Sequence, residues 1–252
     1  MSLNYKFYAT LLDAYQNYLD SDIIWERYWR YSENPPHSPE EFRQAQFQGL
    51  IDKINRKPFD SEKADRGTAF NEVIDCMILK KNSTKVELHR VENQKGELLG
   101  VNATFNERTF YFPLPLLKEV AGYYKGALPQ QYIQAVLPTI FGDVLLYGYM
   151  DYVQPFCTHD LKTTGKYAVG NYKNHWQHIV YPYALYQNGI NVPDFEYNIV
   201  ELEKSGYNTY TESYSFVPER DVQKLTQFCE DFIQFLQTNR ELITDKKIFA
   251  LL

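Results

Sequence analysis

Gly148-Tyr149-Met150-Asp151-Tyr152-Val153-Gln154-Pro155-Phe156-Cys157-Thr158-His159-Asp160-Leu161-Lys162-Thr163-Thr164 is the stretch that decides how this chain reads. An apolar run ends in Asp151, and the next extended run carries Asp160 and Lys162 two residues apart. Residues i and i+2 of a β-strand point to one face, so Asp160 and Lys162 project together while Leu161 points away. Two carboxylates are hard oxygen donors suited to Mg²⁺. A lysine beside them stands where negative charge builds up in metal-assisted phosphodiester hydrolysis. A same-face ion pair on a solvated sheet would give the same Asp-x-Lys pattern. The surroundings favour a site. Val144-Leu145-Leu146-Tyr147-Gly148-Tyr149-Met150 is nearly all apolar, which predicts a strand buried on both faces. A carboxylate ending such a strand is costly unless it is paired or bound to a metal.

Outward from this stretch, periodicity supplies the other elements. Tyr8, Leu11, Leu12, Tyr15, Tyr18 and Leu19 form one helical stripe, and a second helix starts near Ser21-Asp22. The breaker Asn34 to Pro39 precedes a third helix carrying Phe42, Phe47, Leu50, Ile51 and Ile54. Residues 55–66 read as a polar loop, and helix signals resume at Gly67 with Phe70, Ile74, Met77 and Ile78. Two hairpin-like strand pairs follow, over residues 84–104 and around the turn Asn106-Glu107-Arg108. Residues 113–125 are expected to be helical. Strands are expected at Tyr132–Leu137, Val144–Val153 and around Asp160, then a helix over Asn174–Gln187. A strand pair turns at Ser205-Gly206, and a last helix opens at Pro218 with Val222, Leu225, Phe228, Phe232 and Phe235 inward. The order predicts an α/β (α+β) fold in a single domain spanning residues 1–252. Residues 1–66 are its helical N-terminal part, 67–190 hold the motifs, and 191–252 add the strand pair and C-terminal helix.

Composition sets the bounds. The chain has 252 residues, 44% hydrophobic and 16% aromatic, enough for a sizeable core and against disorder. No run approaches the length of a membrane-spanning helix, and the N-terminus lacks a signal-peptide pattern, so a cytoplasmic protein without membrane contact is expected. Cys76, Cys157 and Cys229 are scattered. They suit a reducing compartment and are too few for a four-cysteine iron–sulfur cluster from this chain alone. The net charge of −6 predicts a short nucleic-acid footprint rather than a long basic track. There is no Walker A loop and no Gly-x-Ser-x-Gly. Cys157, His159, His175 and His178 could be read as zinc ligands, but their spacing fits no strong signature, and His159 alternates away from Asp160.

Behind the Asp160 strand, Gln177 and Tyr181 stand at i and i+4 on one helix face. Aimed at an acidic strand, they could orient a phosphate, a base or a water. The competing reading is a partly exposed amphipathic helix. Thr163 and Thr164 could hydrogen-bond a phosphate or be ordinary strand-end hydroxyls.

Four pieces in order, Gly67…Asn71, Gly148…Asp151, Asp160…Lys162 and Gln177…Tyr181, resemble the RecB/RecE-like (phage and prophage exonuclease VIII-like) branch of the PD-(D/E)XK nuclease superfamily. That branch carries Gly-x-x-x-His, Gly-x-x-Asp, Asp-x-Lys and Gln-x-x-x-Tyr along about 115 residues. The segment Val200 to Lys204 followed by Tyr207 also looks like the late strand pair of such exonucleases. The resemblance implies a restriction-endonuclease-like core, a mixed central sheet flanked by helices. It implies Mg²⁺ or Mn²⁺ held by Asp151, Asp160 and the Leu161 carbonyl. Lys162 would act in the chemical step, and Gln177 and Tyr181 would orient DNA or the active-site strand. DNA would be the substrate, with a single-strand annealing protein or another recombination protein as a further partner. One departure stands out: the family histidine is Asn71 here. An amide serves Mn²⁺ less well than an imidazole, so Asn71 or the adjacent Glu72 would have to complete the site. The expected activity is that of an exonuclease in phage-type recombination or repair. The alternative is a catalytically weak DNA-binding or recombination-scaffold protein on the same fold.

Overall fold

In the computed structural model, residues 3–203 and 206–250 are described. Lys204 and Ser205, expected in the turn of the late strand pair, lie outside them, as do Met1 and Ser2. The fold is mixed α/β: a six-stranded mixed sheet flanked by helices, with a separate three-stranded antiparallel sheet.

The chain opens with a strand, β1 (Leu3–Tyr8), followed by α1 (Ala9–Leu19), α2 (Ser21–Trp29) and α3 (Pro39–Ile54). The N-terminal part is therefore not wholly helical. Tyr8 belongs to the strand and not to the helical stripe, because β1 pairs in parallel with the central strand β6 (Asp143–Val153). Ser38 caps α3 in a reciprocal capping box with Glu41, the arrangement its Ser-Pro-Glu-Glu sequence favours. Helix α4 (Glu62–Leu79) starts earlier than its apolar periodicity suggests, because the Ser61 side chain accepts from the Ala64 N–H and caps it.

The small sheet is the meander β2 (Glu87–Glu92), β3 (Leu98–Phe105) and β4 (Arg108–Pro113). Its second turn has Asn106 and Glu107 both at positive φ, 47° and 63°, as a two-residue type I′ turn requires. The Asn106 amide donates to Asp65, which ties the turn to α4. Helix α5 (Leu114–Tyr123) then leads into β5 (Leu128–Leu137).

One edge of β6 pairs antiparallel with β5 from Val144 to Val153. Its other edge is shared. β1 occupies Asp143 to Tyr147, and β7 (Cys157–Thr164) pairs only through Tyr152↔His159 and Val153↔Thr158. Residues 148–151 thus lie in a fork where β1 and β7 part. β8 (Asp194–Leu202) runs parallel to β7, and β9 (Tyr207–Ser215) closes the sheet antiparallel to β8. β6 is not buried on both faces: Val144, Leu146 and Met150 are in the core, while Tyr149 is 59% exposed. Its apolar run includes tyrosines whose rings tolerate solvent.

Two cores flank the sheet. One, around Phe7, Tyr197 and Phe232, joins α1, α6 (Gln177–Gln187) and α7 (Pro218–Thr238). The other, around Phe70, Phe112, Tyr124 and Tyr152, joins α4, α5 and the small sheet. Helix α6 begins later than expected, at Gln177, and is buried from Gln177 through Leu185. The partly exposed reading of this helix is therefore set aside. Two short 3₁₀ helices, Arg240–Leu242 and Lys246–Phe249, end the described chain. Among the described residues no helix is long and apolar enough to cross a membrane.

Candidate active site

The register of β6 and β7 brings the two aspartates together. In an antiparallel pair, opposed residues sum to a constant. Tyr152↔His159 and Val153↔Thr158 make Asp151 and Asp160 the next opposed positions past the end of the ladder. Opposed positions share a sheet face. Here the strands separate into the fork, and the Asp151 carboxylate replaces the missing ladder bond by accepting the Leu161 N–H at 2.9 Å. A strand residue directs its N–H and C=O to the same edge. The Leu161 carbonyl therefore also faces the fork, as a third metal oxygen would have to.

Lys162 comes next on the Asp160 face. Its ammonium is 2.6 Å from Asp160 Oδ2 and donates to Gln177 Oε1 at 2.9 Å. The Gln177 amide NH₂ in turn donates to Asp160 Oδ1. Gln177 is 3% exposed, so it is a buried clamp holding carboxylate and ammonium in one orientation. Tyr181, one helical turn on, packs against Gly148. A Cβ added at Gly148 would lie 2.7 Å from the Tyr181 ring and 2.9 Å from its hydroxyl. Only a glycine admits that approach. Burial, with Asp160 nearby, raises the Tyr181 phenol above its ordinary range and keeps it protonated.

Helix α4 reaches the fork from the other side. A Cβ on Gly67 would meet Thr163 Oγ1 at 3.3 Å. The glycine therefore lets α4 lie close to β7, and Asn71, four residues on, reaches Asp151 Oδ2 at 3.4 Å. The Asn71 Oδ1 atom is buried without a hydrogen-bond partner. Glu72 is a different matter. Its carboxylate faces Lys85, 3.8 Å away, and the Cys76 thiol. The helix turns it about 100° from Asn71, away from the fork, so it is not one of the residues gathered here. Thr163 faces α4, and Thr164 is occupied with its own turn, donating to the Lys166 carbonyl at 2.8 Å. Thr164 follows Lys162 on the Asp160 face, with its hydroxyl engaged by that turn, whereas Thr163 alternates to the other face.

Charge balance in the fork is tight. Burial and the neighbouring Asp160 raise the Asp151 carboxyl well above the ordinary range, against the pull of Lys162 and the Leu161 N–H. Burial alone would lower Lys162, but Asp160 and Asp151 more than offset it, and the amine is held above its ordinary value. The donor set fits a hard divalent cation: two opposed carboxylates, an edge carbonyl and an unsatisfied amide oxygen. Both Asp160 oxygens already have a partner, Oδ2 the Lys162 ammonium and Oδ1 the Gln177 amide, so a cation would share the carboxylate with them.

Several neighbours gave no signal in the sequence. The Tyr197 ring lies 6.0 Å from Lys162 Nζ and stacks on Tyr172 at 4.8 Å. Asp13, buried on α1, accepts the Trp176 N–H at 2.6 Å and anchors the start of α6. Lys53 on α3 is lowered by burial, and it feels both Asp13 and Lys162. Of these, only Asp13 could have been found from the sequence, as a carboxylate inside an apolar helical run. A cleft of ≈ 370 Å³, lined by Tyr8, Arg56, Tyr147, Gly148, Tyr149 and Tyr181 among others, opens directly beside the fork.

No protein-family model and no curated protein matches this chain. Among solved structures, one described as "Crystal structure of SSO0001" aligns over 93% of this chain and 78% of that one. It is 9% identical, with a TM-score of 0.42. A likeness that weak carries no argument about fold or function.

Proposed function

We propose that this chain is a divalent-metal-dependent deoxyribonuclease of the RecB/RecE-like PD-(D/E)XK type, acting as an exonuclease in phage-type recombination or repair in the cytoplasm. The observation that carries the reading is the register. Asp151 and Asp160 are opposed at the mouth of a strand fork, with Lys162 two residues beyond. Asp151, Asp160, the Leu161 carbonyl and Asn71 would hold Mg²⁺ or Mn²⁺. When bound, the cation supplies Lewis-acid charge stabilisation at the scissile phosphate. Lys162 orients the attacking water and faces the negative charge that develops on the phosphoryl oxygens. The water oxygen bonds to phosphorus as the bond to the leaving ribose oxygen breaks; the water gives a proton to solvent, and solvent returns one to the leaving oxygen, so that a phosphomonoester and a free hydroxyl result. Gln177 keeps Asp160 and Lys162 aligned, so that neither reorganises during the step. The cleft beside Gly148 and Tyr181 gives the DNA strand its approach, with a single-strand annealing or other recombination protein as partner.

The test is a panel of linear and circular, single- and double-stranded DNA with Mg²⁺ or Mn²⁺, set against EDTA. Cleavage confined to linear DNA supports the exonuclease reading, and cleavage of circles replaces it with an endonuclease. Asn71 favours a second reading, a weakly catalytic DNA-binding scaffold. Metal-independent DNA binding without cleavage in any arm would establish that instead.

A further inference from the structure

Strand alternation sends Cys157 and His159 to the face opposite Asp160 and Lys162. There β8 lies alongside, with Glu196 directly beside His159 in the parallel register. One potential ligand atom from each of Cys157, His159 and Glu196 lies within 4.8 Å of the other two. The histidine pairs considered from sequence do not form. His175 faces Asp13, and His178 stacks on Tyr214 at 4.2 Å. A glutamate from the neighbouring strand takes their place, which no spacing along the chain could reveal.

Hydrogen bonding alone does not account for this cluster. His159 is 1% exposed, with Nδ1 3.2 Å from Glu196 Oε2 and 3.1 Å from Asn198 Oδ1. Nδ1 is thus the ring nitrogen on the Glu196 side, where an ion would take the place of its proton, and Nε2 is buried without a partner. The Cys157 thiol reaches only the carbonyl of its neighbour Thr158, at 3.3 Å. Glu196 Oε2 receives the Tyr123 hydroxyl and the Asn198 amide. Metal-binding carboxylates typically carry such outer partners. Glu196 remains 22% exposed at its side chain, so an ion has a way in.

We propose that Cys157, His159 and Glu196 form a second metal site, selective for a zinc-class cation over Mg²⁺, on the face of the sheet behind the catalytic strand. Sulfur, nitrogen and carboxylate donors together suit Zn²⁺, whereas Mg²⁺ takes oxygen ligands. Water fills the fourth position. The ion ties β7 to β8 through residues that alternate with Asp160 and Lys162, and so fixes the strand that presents them. The site does not depend on the nuclease reading and stands or falls separately from it.

The test uses the full chain, stripped with EDTA, dialysed and titrated with Co²⁺ as a spectroscopic probe for Zn²⁺. One equivalent should produce a thiolate-to-cobalt charge-transfer band that Zn²⁺ abolishes and excess Mg²⁺ does not. The band should persist in an Asp151→Asn/Asp160→Asn variant, which lacks the candidate active site, and vanish in Cys157→Ser. Tyr123→Phe, which removes only an outer hydrogen bond, should weaken binding about 10–100-fold. If Cys157→Ser does not fold, the other two variants decide. No band in the wild type, or affinity unchanged in Tyr123→Phe, overturns the site. So does a band that survives Cys157→Ser, since the sulfur would then come from Cys76 or Cys229.

Discussion

Gly148→Ala is the sharpest probe of how the fork is built. The added methyl would stand 2.7 Å from Tyr181 Cε1, 2.9 Å from its hydroxyl and 3.2 Å from Cζ. Tyr181 is 5% exposed and sits within the run Gln177–Leu185 that is buried throughout, so its ring cannot swing into solvent. Overpacking a core by one methyl costs about 1–3 kcal/mol. For a chain of this size each kcal/mol lowers Tm by about 2–4 °C, giving a fall of about 2–12 °C. The clash has a single named partner, so a double-mutant cycle isolates it. In a Tyr181→Leu background the Gly148→Ala penalty should largely vanish, a coupling of about 1–3 kcal/mol between residues in direct contact. Urea unfolding of the four proteins in EDTA measures it without reference to activity. If Gly148→Ala is neutral, or if the two changes simply add, α6 does not press on β6 as described. The Gly-x-x-Asp and Gln-x-x-x-Tyr patterns would then not be two sides of one contact.

Three further outcomes are expected. Lys162→Ala should slow single-turnover DNA cleavage about 10²–10³-fold, the usual loss on removing one preorganised charge-stabilising donor, while DNA affinity in Ca²⁺ stays near wild type. A wild-type rate would reduce Lys162 to an ion-pair partner. Asn71→His should tighten Mn²⁺ binding, read by calorimetry, because imidazole is the better transition-metal ligand. A well-folded variant with unchanged affinity would mean that α4 does not contribute a ligand. His178 is pushed down to about 4 by burial, with Lys224 adding to the shift. Its folded value thus lies below its unfolded one, and the stability it contributes is complete above about pH 6.5. That stability is lost as pH falls through about 4, at most about 3 kcal/mol. His178→Phe should flatten this part of the acid-unfolding curve, and an unaltered curve would assign the acid loss elsewhere.

What the sequence made legible follows its periodicities. The i, i+2 spacing of Asp160 and Lys162 and the i, i+4 spacing of Gln177 and Tyr181 are local, and both survive as single-face relations in the structure. β1 was not legible, because Leu3 to Tyr8 is six residues running straight into a helical stripe, and its strand character comes from the distant β6. The depth of α6 was hidden for a related reason. His178 and Gln177 look polar, yet tertiary partners satisfy both. Glu72 is next to Asn71 in sequence, but one helical step turns it toward Lys85. The Cys157–His159–Glu196 cluster required the parallel register of β7 and β8, which only the folded sheet supplies.

If the strand fork hydrolyses DNA with a divalent cation held by Asp151 and Asp160, cleavage must depend on both the metal and the carboxylates. Single-turnover cleavage of linear DNA in Mg²⁺, by wild type and by Asp160→Asn purified side by side, tests it most directly. The expected result is cleavage by the wild type that EDTA abolishes and that Asp160→Asn slows at least about a hundredfold, on the scale of losing a transition-state charge stabiliser. Cleavage at equal rates by the two proteins, or none by the wild type with either Mg²⁺ or Mn²⁺, would contradict it.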